Sequence, residues 1–209
     1  MTFKNWFWDF DGTLYDTYPR VTRAFQKALR DAGIELPDVI VLNQVKLRLD
    51  GAALWAAQGD GTVADMILQR YLFHAESEDE STIKPYAGVG NMLQLITQAG
   101  GSNFLYTHRN MTAVEALERD GLWQYFMDKV TSEDEFPLKP APDALNHLME
   151  KYSLQKKDCC MVGDRSIDLD AGKNAGMADI LFDPEGFYKD YPATFRFFTY
   201  ADMAAAFFS

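Results

Sequence analysis

The stretch FWDFDGTLYDT, residues 7–17, joins an apolar, aromatic run to two aspartates and a glycine. The aromatic side chains are typical of a buried β-strand, and we assign the first strand to residues 3–10. Asp9 and Asp11 are two positions apart, so on a strand their side chains point to the same side. Two neighbouring carboxylates repel each other unless they share a cation or a proton. The stretch therefore predicts that a buried strand ends at a charged site.

The rest of the chain alternates between helical patterns and short apolar runs. We predict further strands in five places, at residues 103–107, 129–131, 159–162, 179–182 and 195–198. Strands separated by helices predict a parallel sheet with helices on both faces, which is a Rossmann-like α/β fold. The segment after the first strand carries helical patterns only. The sequence thus predicts an α/β core domain, residues 1–15 and 83–209, with an all-helical cap domain inserted at residues 16–82.

The chain has 209 residues, of which 47% are hydrophobic, and a formal net charge of -11. The negative charge argues against nucleic acid as a partner, and no apolar stretch approaches the roughly 20 residues that span a bilayer. The N-terminus lacks the pattern of a signal peptide, and the adjacent Cys159 and Cys160 have neither disulfide nor zinc spacing. We therefore expect a cytoplasmic protein with reduced thiols, no nucleic-acid or membrane partner, and a monomeric or weakly dimeric state.

Polar residues follow several of the predicted strands. Asp9 and Asp11 end the first strand, Thr107 ends the second core strand, and Asp164 follows the apolar run CCMV. Lys139 lies in the loop FPLKPAPD after the third core strand. Because ligands collect beyond the carboxyl ends of parallel strands, these residues predict one shared crevice.

Three carboxylates in one crevice suggest a hard divalent cation with oxygen ligands, and Mg²⁺ is the natural candidate. Such a cation would also offset the repulsion between an acidic protein and a phosphate ester. Gly12 allows the backbone to turn sharply and to approach an anion closely. Thr107 offers a hydroxyl and Lys139 offers a positive charge to the same anion.

Each of these residues also has a structural interpretation when it is considered alone. DGT is a common turn, and Lys139 alone is typical of a surface lysine. Asp168 either supports the site or is a helix N-cap or first-turn acid. His108 and Arg109 either line the site or serve only its local structure. The charged run HAESEDEST, residues 74–82, is interpreted as a solvated connection. The prediction therefore depends on the joint order and spacing of the residues.

The segments DFDGT, YTHRN, LKPAPD and VGDRSIDLDAGKNAGM occur in this order and resemble the four motifs of the haloacid dehalogenase superfamily. The chain is similar to the phosphoglycolate phosphatase and β-phosphoglucomutase branch, which carries a helical cap after strand one. The resemblance implies that Asp9 is the nucleophile, and that Asp11 protonates the leaving group and then takes a proton from water. It also implies a Mg²⁺ site formed by the carboxylates of Asp9 and Asp164 and the backbone carbonyl of Asp11.

The resemblance implies further roles for residues in the remaining motifs. Thr107 and Lys139 would stabilise the transferring phosphoryl group, and Gly12 and His108 would contact the substrate. Asp168 would support the metal-bound waters or Lys139.

The expected function is that of a Mg²⁺-dependent phosphatase acting through an aspartyl-phosphate on a small phosphorylated metabolite, similar to a phosphoglycolate phosphatase. A phosphosugar mutase of the β-phosphoglucomutase type uses the same chemistry and is the alternative. A dehalogenase is less favoured because such relatives generally lack the second aspartate, here Asp11, and the complete set of site residues disfavours a non-catalytic binding protein. The candidate specificity residues next to or within the cap are Tyr15, Tyr18, Arg48 and Trp55.

Overall fold

The computed structural model describes residues 3–208. The chain divides into two compact units. One unit contains the residues up to Tyr15 and those from Pro85 onward, and the other contains Asp16–Lys84. Every residue that the sequence predicts for the catalytic or metal site belongs to the first unit.

The described strands are β1 (Asn5–Trp8), β2 (Tyr15–Asp16), β3 (Lys84–Pro85), β4 (Ser102–Tyr106), β5 (Phe126–Val130), β6 (Cys159–Gly163), β7 (Ala178–Phe182) and β8 (Phe195–Phe197). Six of them form one sheet in the order β5-β4-β1-β6-β7-β8, and all five neighbouring pairs are parallel. The short strands β2 and β3 pair with each other in a separate two-stranded sheet. The sheet confirms the predicted α/β class and places β1 at its centre.

The α-helices of the first unit are α5 (Val89–Gln98), α6 (Thr112–Arg119), α7 (Asp143–Lys151), α8 (Ser166–Ala175) and α9 (Tyr200–Phe208). Those of the second unit are α1 (Tyr18–Asp31), α2 (Asp38–Leu47), α3 (Leu49–Ala56) and α4 (Gly61–Glu76). Among residues 3–208, no helix is both long and apolar enough to cross a lipid bilayer.

Strand β1 is buried on both faces, which explains why three of its four residues are large aromatic side chains. Phe7 points to one face and stacks on Phe104 with ring centroids 4.9 Å apart, in a cluster that includes residues of α7 and α8. Trp6 points to the other face and meets Phe207 of α9 edge to face at 5.1 Å. The alternation of these aromatic side chains fixes the position of β1 between two helical layers.

Each of the six predicted strands differs from the described strand by one to three residues at one or both ends. The first strand ends at Trp8 instead of residue 10, because the backbone turns immediately after Asp9. The third core strand begins at Phe126, where a register shift in its pairing with β4 hides the simple alternation of side chains. The last strand ends one residue earlier than predicted, at Phe197.

The second unit consists of four α-helices around its own apolar core, in which α1 packs against α4. The prediction that residues 74–82 form a solvated connection is wrong for part of this run. Helix α4 continues to Glu76, and the side chain of Glu78 is only 8% exposed. The carboxylate of Glu78 is largely covered because it pairs with Arg23 and Lys27 of α1, at 3.1 and 2.5 Å. The sequence of a charged run does not show which of its side chains form ion pairs.

Candidate active site

Asp9 follows β1 directly and lies at the buried centre of the candidate site. Its N–H donates to the carbonyl of Val162 at 2.9 Å, which extends the pairing of β1 with β6 by one hydrogen bond. Its Oδ1 accepts a hydrogen bond from Lys139 Nζ at 2.6 Å. The end of the central strand thus places a carboxylate where water has little access.

Lys139 lies in the loop after β5, and its side chain is fully buried. Besides Asp9, the ammonium group donates to Asp168 Oδ1 and to the carbonyl of Tyr106, both at 2.8 Å. These acceptors satisfy all three of its donors. Although burial alone would lower it, the two carboxylates raise the pKa of Lys139 above its ordinary value. Lys139 is therefore a buried cation and not a surface lysine.

Asp168 belongs to α8, which begins shortly after β6. Its Oδ2 accepts the N–H of Arg165 at 3.1 Å, as a residue in the first turn of a helix can, while its Oδ1 binds Lys139. Asp168 is therefore not the N-cap of α8, which is Arg165, but a first-turn residue that caps the helix and also contacts Lys139. Gly163 permits the close approach, because a Cβ on it would lie 2.2 Å from the Cβ of Asp168. Burial would raise the pKa of Asp168, but Lys139 and Arg165 hold it below its ordinary value.

Asp9, Asp164 and Asp168 form a buried carboxylate cluster, in which one oxygen of each lies within 4.8 Å of the others. Burial and the charge of Asp168 raise the pKa of Asp9 to about 6, although Lys139 opposes this shift. The charges of Lys139 and Arg165 do not balance three carboxylates, so the cluster favours binding of a proton or a further cation. A set of carboxylate oxygens is what Mg²⁺ prefers in proteins.

The chain turns sharply after Asp9. The N–H groups of residues 13–15 all donate to the carbonyl of Phe10, and Gly12 adopts a φ of 77°. The expectation that Asp9 and Asp11 both lie on a strand through residue 10 is therefore wrong. The N–H of Gly12 donates to the carbonyl of Tyr15 at 2.8 Å, so this group forms part of the turn.

Asp11 forms a two-point ion pair with Arg109. Arg109 Nη2 donates to Asp11 Oδ1 at 3.1 Å, and Arg109 Nε donates to Asp11 Oδ2 at 3.4 Å. The carboxylate cluster of the described residues does not include Asp11, which leaves its backbone carbonyl as the predicted metal ligand. The sequence named Arg109 only as a residue near the site and missed this pair. Its one signal was the place of Arg109 just after a strand that neighbours β1.

Thr107 and His108 come directly after β4. Thr107 is buried, its N–H donates to Val130 O at 3.0 Å, and its Oγ1 accepts the N–H of Arg109 at 3.1 Å. His108 Nε2 accepts the N–H of Lys139 at 2.9 Å, and burial lowers the pKa of His108 to about 4. His108 is therefore neutral near pH 7, and this nitrogen holds the Lys139 loop instead of offering a positive charge to a substrate.

The four candidate specificity residues have different surroundings. Tyr15 is buried in the first unit and donates its hydroxyl to Asp120 Oδ2 at 2.8 Å. Tyr18 is buried in the core of the second unit. Packing accounts for both tyrosines. Arg48 is exposed and pairs with a neighbouring aspartate, and Trp55 is exposed on α3.

Comparison with known proteins supports the resemblance. A family profile described as haloacid dehalogenase-like hydrolase matches residues 7–182. A phosphoglycolate phosphatase of Vibrio vulnificus (strain YJ016) is 33% identical over 190 residues, covering 81% of this chain and 79% of that protein. The pyrophosphatase PpaX of Halalkalibacterium halodurans is 31% identical over 108 residues, covering 51% of this chain and 50% of that protein.

A crystal structure from Lactobacillus delbrueckii subsp. bulgaricus matches over 100% of both chains, with a TM-score of 0.85 and 18% identity, and so shares the fold. The segment matched by the family profile contains the carboxylate cluster, Lys139 and the Asp11–Arg109 pair. The chain therefore belongs to the haloacid dehalogenase-like hydrolases, and its relatives place it among the phosphatases of that family.

Proposed function

We propose that the protein is a Mg²⁺-dependent phosphatase that hydrolyses the phosphate monoester of a small metabolite, with Asp9 as the nucleophile. The observation that carries the proposal is the setting of the Asp9 carboxylate. It is buried, it lies 2.6 Å from the ammonium of Lys139, and it belongs to a cluster of three carboxylates. A carboxylate held in this way can attack phosphorus, and the adjacent ammonium can stabilise charge on the phosphoryl oxygens.

The residues proposed to hold Mg²⁺ are Asp9 and Asp164 through their carboxylates and Asp11 through its backbone carbonyl. Asp168 has both oxygens engaged, by Lys139 and by a backbone N–H, so it supports the site and is not a proposed ligand. All proposed donors are oxygens, which fits Mg²⁺. When bound, the ion would reduce the repulsion between these carboxylates and an anionic substrate.

The proposed reaction has two steps. An oxygen of Asp9 attacks phosphorus, the bond from phosphorus to the leaving alkoxide breaks, and Asp11 gives a proton to that alkoxide. Water then attacks the aspartyl-phosphate, Asp11 takes a proton from it, and inorganic phosphate leaves as Asp9 is restored. The hydroxyl of Thr107, which accepts one hydrogen bond, has its own hydrogen to donate to a phosphoryl oxygen.

We further propose that the unit Asp16–Lys84 is the cap domain of the family and carries the substrate specificity, with Arg48 and Trp55 as its candidate residues. The protein is proposed to act in the cytoplasm, which the buried free thiols of Cys159 and Cys160 support. A monomer or weak homodimer is the proposed state, and gel filtration at several protein concentrations tests it.

A screen of small phosphate esters with and without Mg²⁺, scored by released phosphate, tests the function. We expect turnover that EDTA abolishes and Mg²⁺ restores. Asp9→Asn should lose turnover and the acid-stable labelling expected of a phosphoenzyme, while Asp65→Asn, on an exposed turn of α4, should keep both. If Asp9→Asn hydrolyses the ester at the wild-type rate, the assignment of Asp9 as the nucleophile is refuted.

The same screen distinguishes a phosphatase from a mutase. Phosphoglycolate and a set of sugar phosphates are incubated with the enzyme, and both free phosphate and isomerised sugar phosphate are measured. Release of phosphate from every accepted ester supports the phosphatase. Conversion of one sugar phosphate into its isomer, with little free phosphate, would replace the phosphatase by the mutase.

A further inference from the structure

Arg109 and Asp11 form a contact that the proposed reaction does not yet use. The guanidinium group contacts both oxygens of Asp11, at 3.1 and 3.4 Å, in the side-on arrangement that only arginine can make. The Arg109 side chain is 11% exposed, whereas that of Asp11 is 33% exposed. A largely buried cation thus holds a carboxylate that is open enough to meet a substrate.

Arg109 is itself held firmly on its own side of the pair. Its N–H donates to Thr107 Oγ1 at 3.1 Å, and its carbonyl accepts the N–H of Ser132 at 3.1 Å. Its guanidinium carbon lies 5.4 Å from the ring centroid of Phe10, within cation–π range. These contacts connect Arg109 to the loop after β4 and to the turn that carries Asp11.

The turn itself leaves the direction of the Asp11 side chain unspecified. Gly12 closes the turn with backbone hydrogen bonds, and Asp11 is followed at once by that positive-φ residue. A short, half-exposed aspartate has several rotamers of similar energy, so an external partner is needed to select one. Arg109 contacts both oxygens of the Asp11 carboxylate and can select one of these rotamers.

We propose that Arg109 is a positioning residue for the acid step, which fixes the Asp11 carboxylate where it can deliver a proton to the leaving group. This inference rests on the proposed function, because it takes Asp11 as the general acid. Arg109 does not itself touch the reacting atoms in this proposal. Its effect on the first step should therefore appear only where the leaving group needs a proton.

The test compares two esters that differ in the basicity of the leaving group. Hydrolysis of benzyl phosphate expels a basic alkoxide and needs proton delivery, whereas p-nitrophenyl phosphate expels a weakly basic phenolate. General acid catalysis contributes about 10²- to 10⁴-fold, so loss of its positioning should cost about 10- to 100-fold. We expect Arg109→Gln to lower kcat/KM, which reports the first phosphoryl transfer and not the later hydrolysis of the aspartyl-phosphate, by that factor for benzyl phosphate. For p-nitrophenyl phosphate, kcat/KM should change by less than about threefold.

The ratio of the two rates does not depend on how much of a variant is folded, because both substrates meet the same enzyme sample. In the Asp11→Asn background, Arg109→Gln should change neither rate by more than about twofold, since there is no acid left to position. Arg109→Lys should lie between the wild type and Arg109→Gln, because an ammonium group makes a point contact. Mg²⁺ affinity measured by calorimetry should be the same in Arg109→Gln and the wild type.

Equal losses for both esters in Arg109→Gln would overturn the inference, and so would a faster rate with benzyl phosphate or additive losses in the double variant. Wild-type enzyme that hydrolyses neither ester with Mg²⁺ would instead overturn the proposed function. If Asp11→Asn selectively loses activity toward benzyl phosphate and Arg109→Gln does not, the proposed phosphatase function is retained and only the role of Arg109 is overturned.

Discussion

Replacing Lys139 by methionine should destabilise the protein strongly, and more so without Mg²⁺ than with it. The substitution keeps the length of the side chain but removes the charge between Asp9 and Asp168. Oxygens of the three clustered carboxylates lie within 4.8 Å of one another, and at an effective dielectric of about 20 each such pair repels by about 3–4 kcal/mol.

The expected loss can also be taken from buried ion pairs that lose one partner, which cost about 3–5 kcal/mol. This cost is a large part of the roughly 5–15 kcal/mol by which a typical domain is stable. Protonation of one carboxylate will relieve some of the repulsion, as the raised pKa of Asp9 already indicates. We therefore expect Lys139→Met to lose about 3 kcal/mol in EDTA.

Urea unfolding followed by tryptophan fluorescence measures this loss, because Trp6 and Trp8 are buried in the sheet. Each variant is unfolded in EDTA and in Mg²⁺. The matched control is Lys4→Met, since the side chain of Lys4 is 73% exposed and its nearest carboxylate is 3.8 Å away. The control should lose at most about 1 kcal/mol and respond to Mg²⁺ as the wild type does. If Lys139→Met is within about 1 kcal/mol of the wild type in EDTA, the reasoning from buried charge is refuted.

Three further predictions follow from the same contacts. Gly163→Ala should lower the free energy of unfolding by about 1–3 kcal/mol or more and displace Asp168, because the added Cβ would lie 2.2 Å from that side chain. The control Gly61→Ala, which has open space around its Cβ, should not reduce the urea midpoint. Because Asp9 holds its proton up to about pH 6, Mg²⁺ must displace that proton at lower pH. Affinity measured by calorimetry should fall by up to about tenfold per pH unit below 6 and be nearly constant well above it; a flat profile from pH 4.5 to 7.5 would contradict this. Burial raises the pKa of Cys159 to about 11 and that of Cys160 well above its ordinary value. Neither thiol should therefore react with a disulfide reagent at pH 8 until urea unfolds the protein. Rapid labelling of the native chain would contradict the burial of both thiols.

The sequence predicted those parts of the fold that depend on local pattern. Continuous apolar runs identified the central strands, and polar residues after them identified the edge of the sheet where Asp9, Lys139 and Asp164 gather. These predictions succeeded because burial on both faces and strand-end chemistry leave marks at fixed sequence positions.

The parts that failed depend on partners that are distant in sequence. Nothing near Asp11 shows that its carboxylate is paired with Arg109, 98 positions away. In the sequence, Glu78 is one of several charged residues in a run predicted to be solvated. In the structure, it pairs with two cations of α1. The end of β1 was placed too late because Phe10 continues the aromatic pattern, although its carbonyl is the acceptor of the turn.

The three hydrogen bonds of the Lys139 ammonium group have a consequence for the way the protein folds. One ammonium group holds together the carbonyl at the end of β4, the carboxylate after β1 and the first turn of the helix after β6. The three neighbouring strands at the middle of the sheet must therefore be aligned before the cluster has its geometry. During refolding, the active site should form only when these central strands assemble. The time course of recovered turnover therefore reports the assembly of those strands.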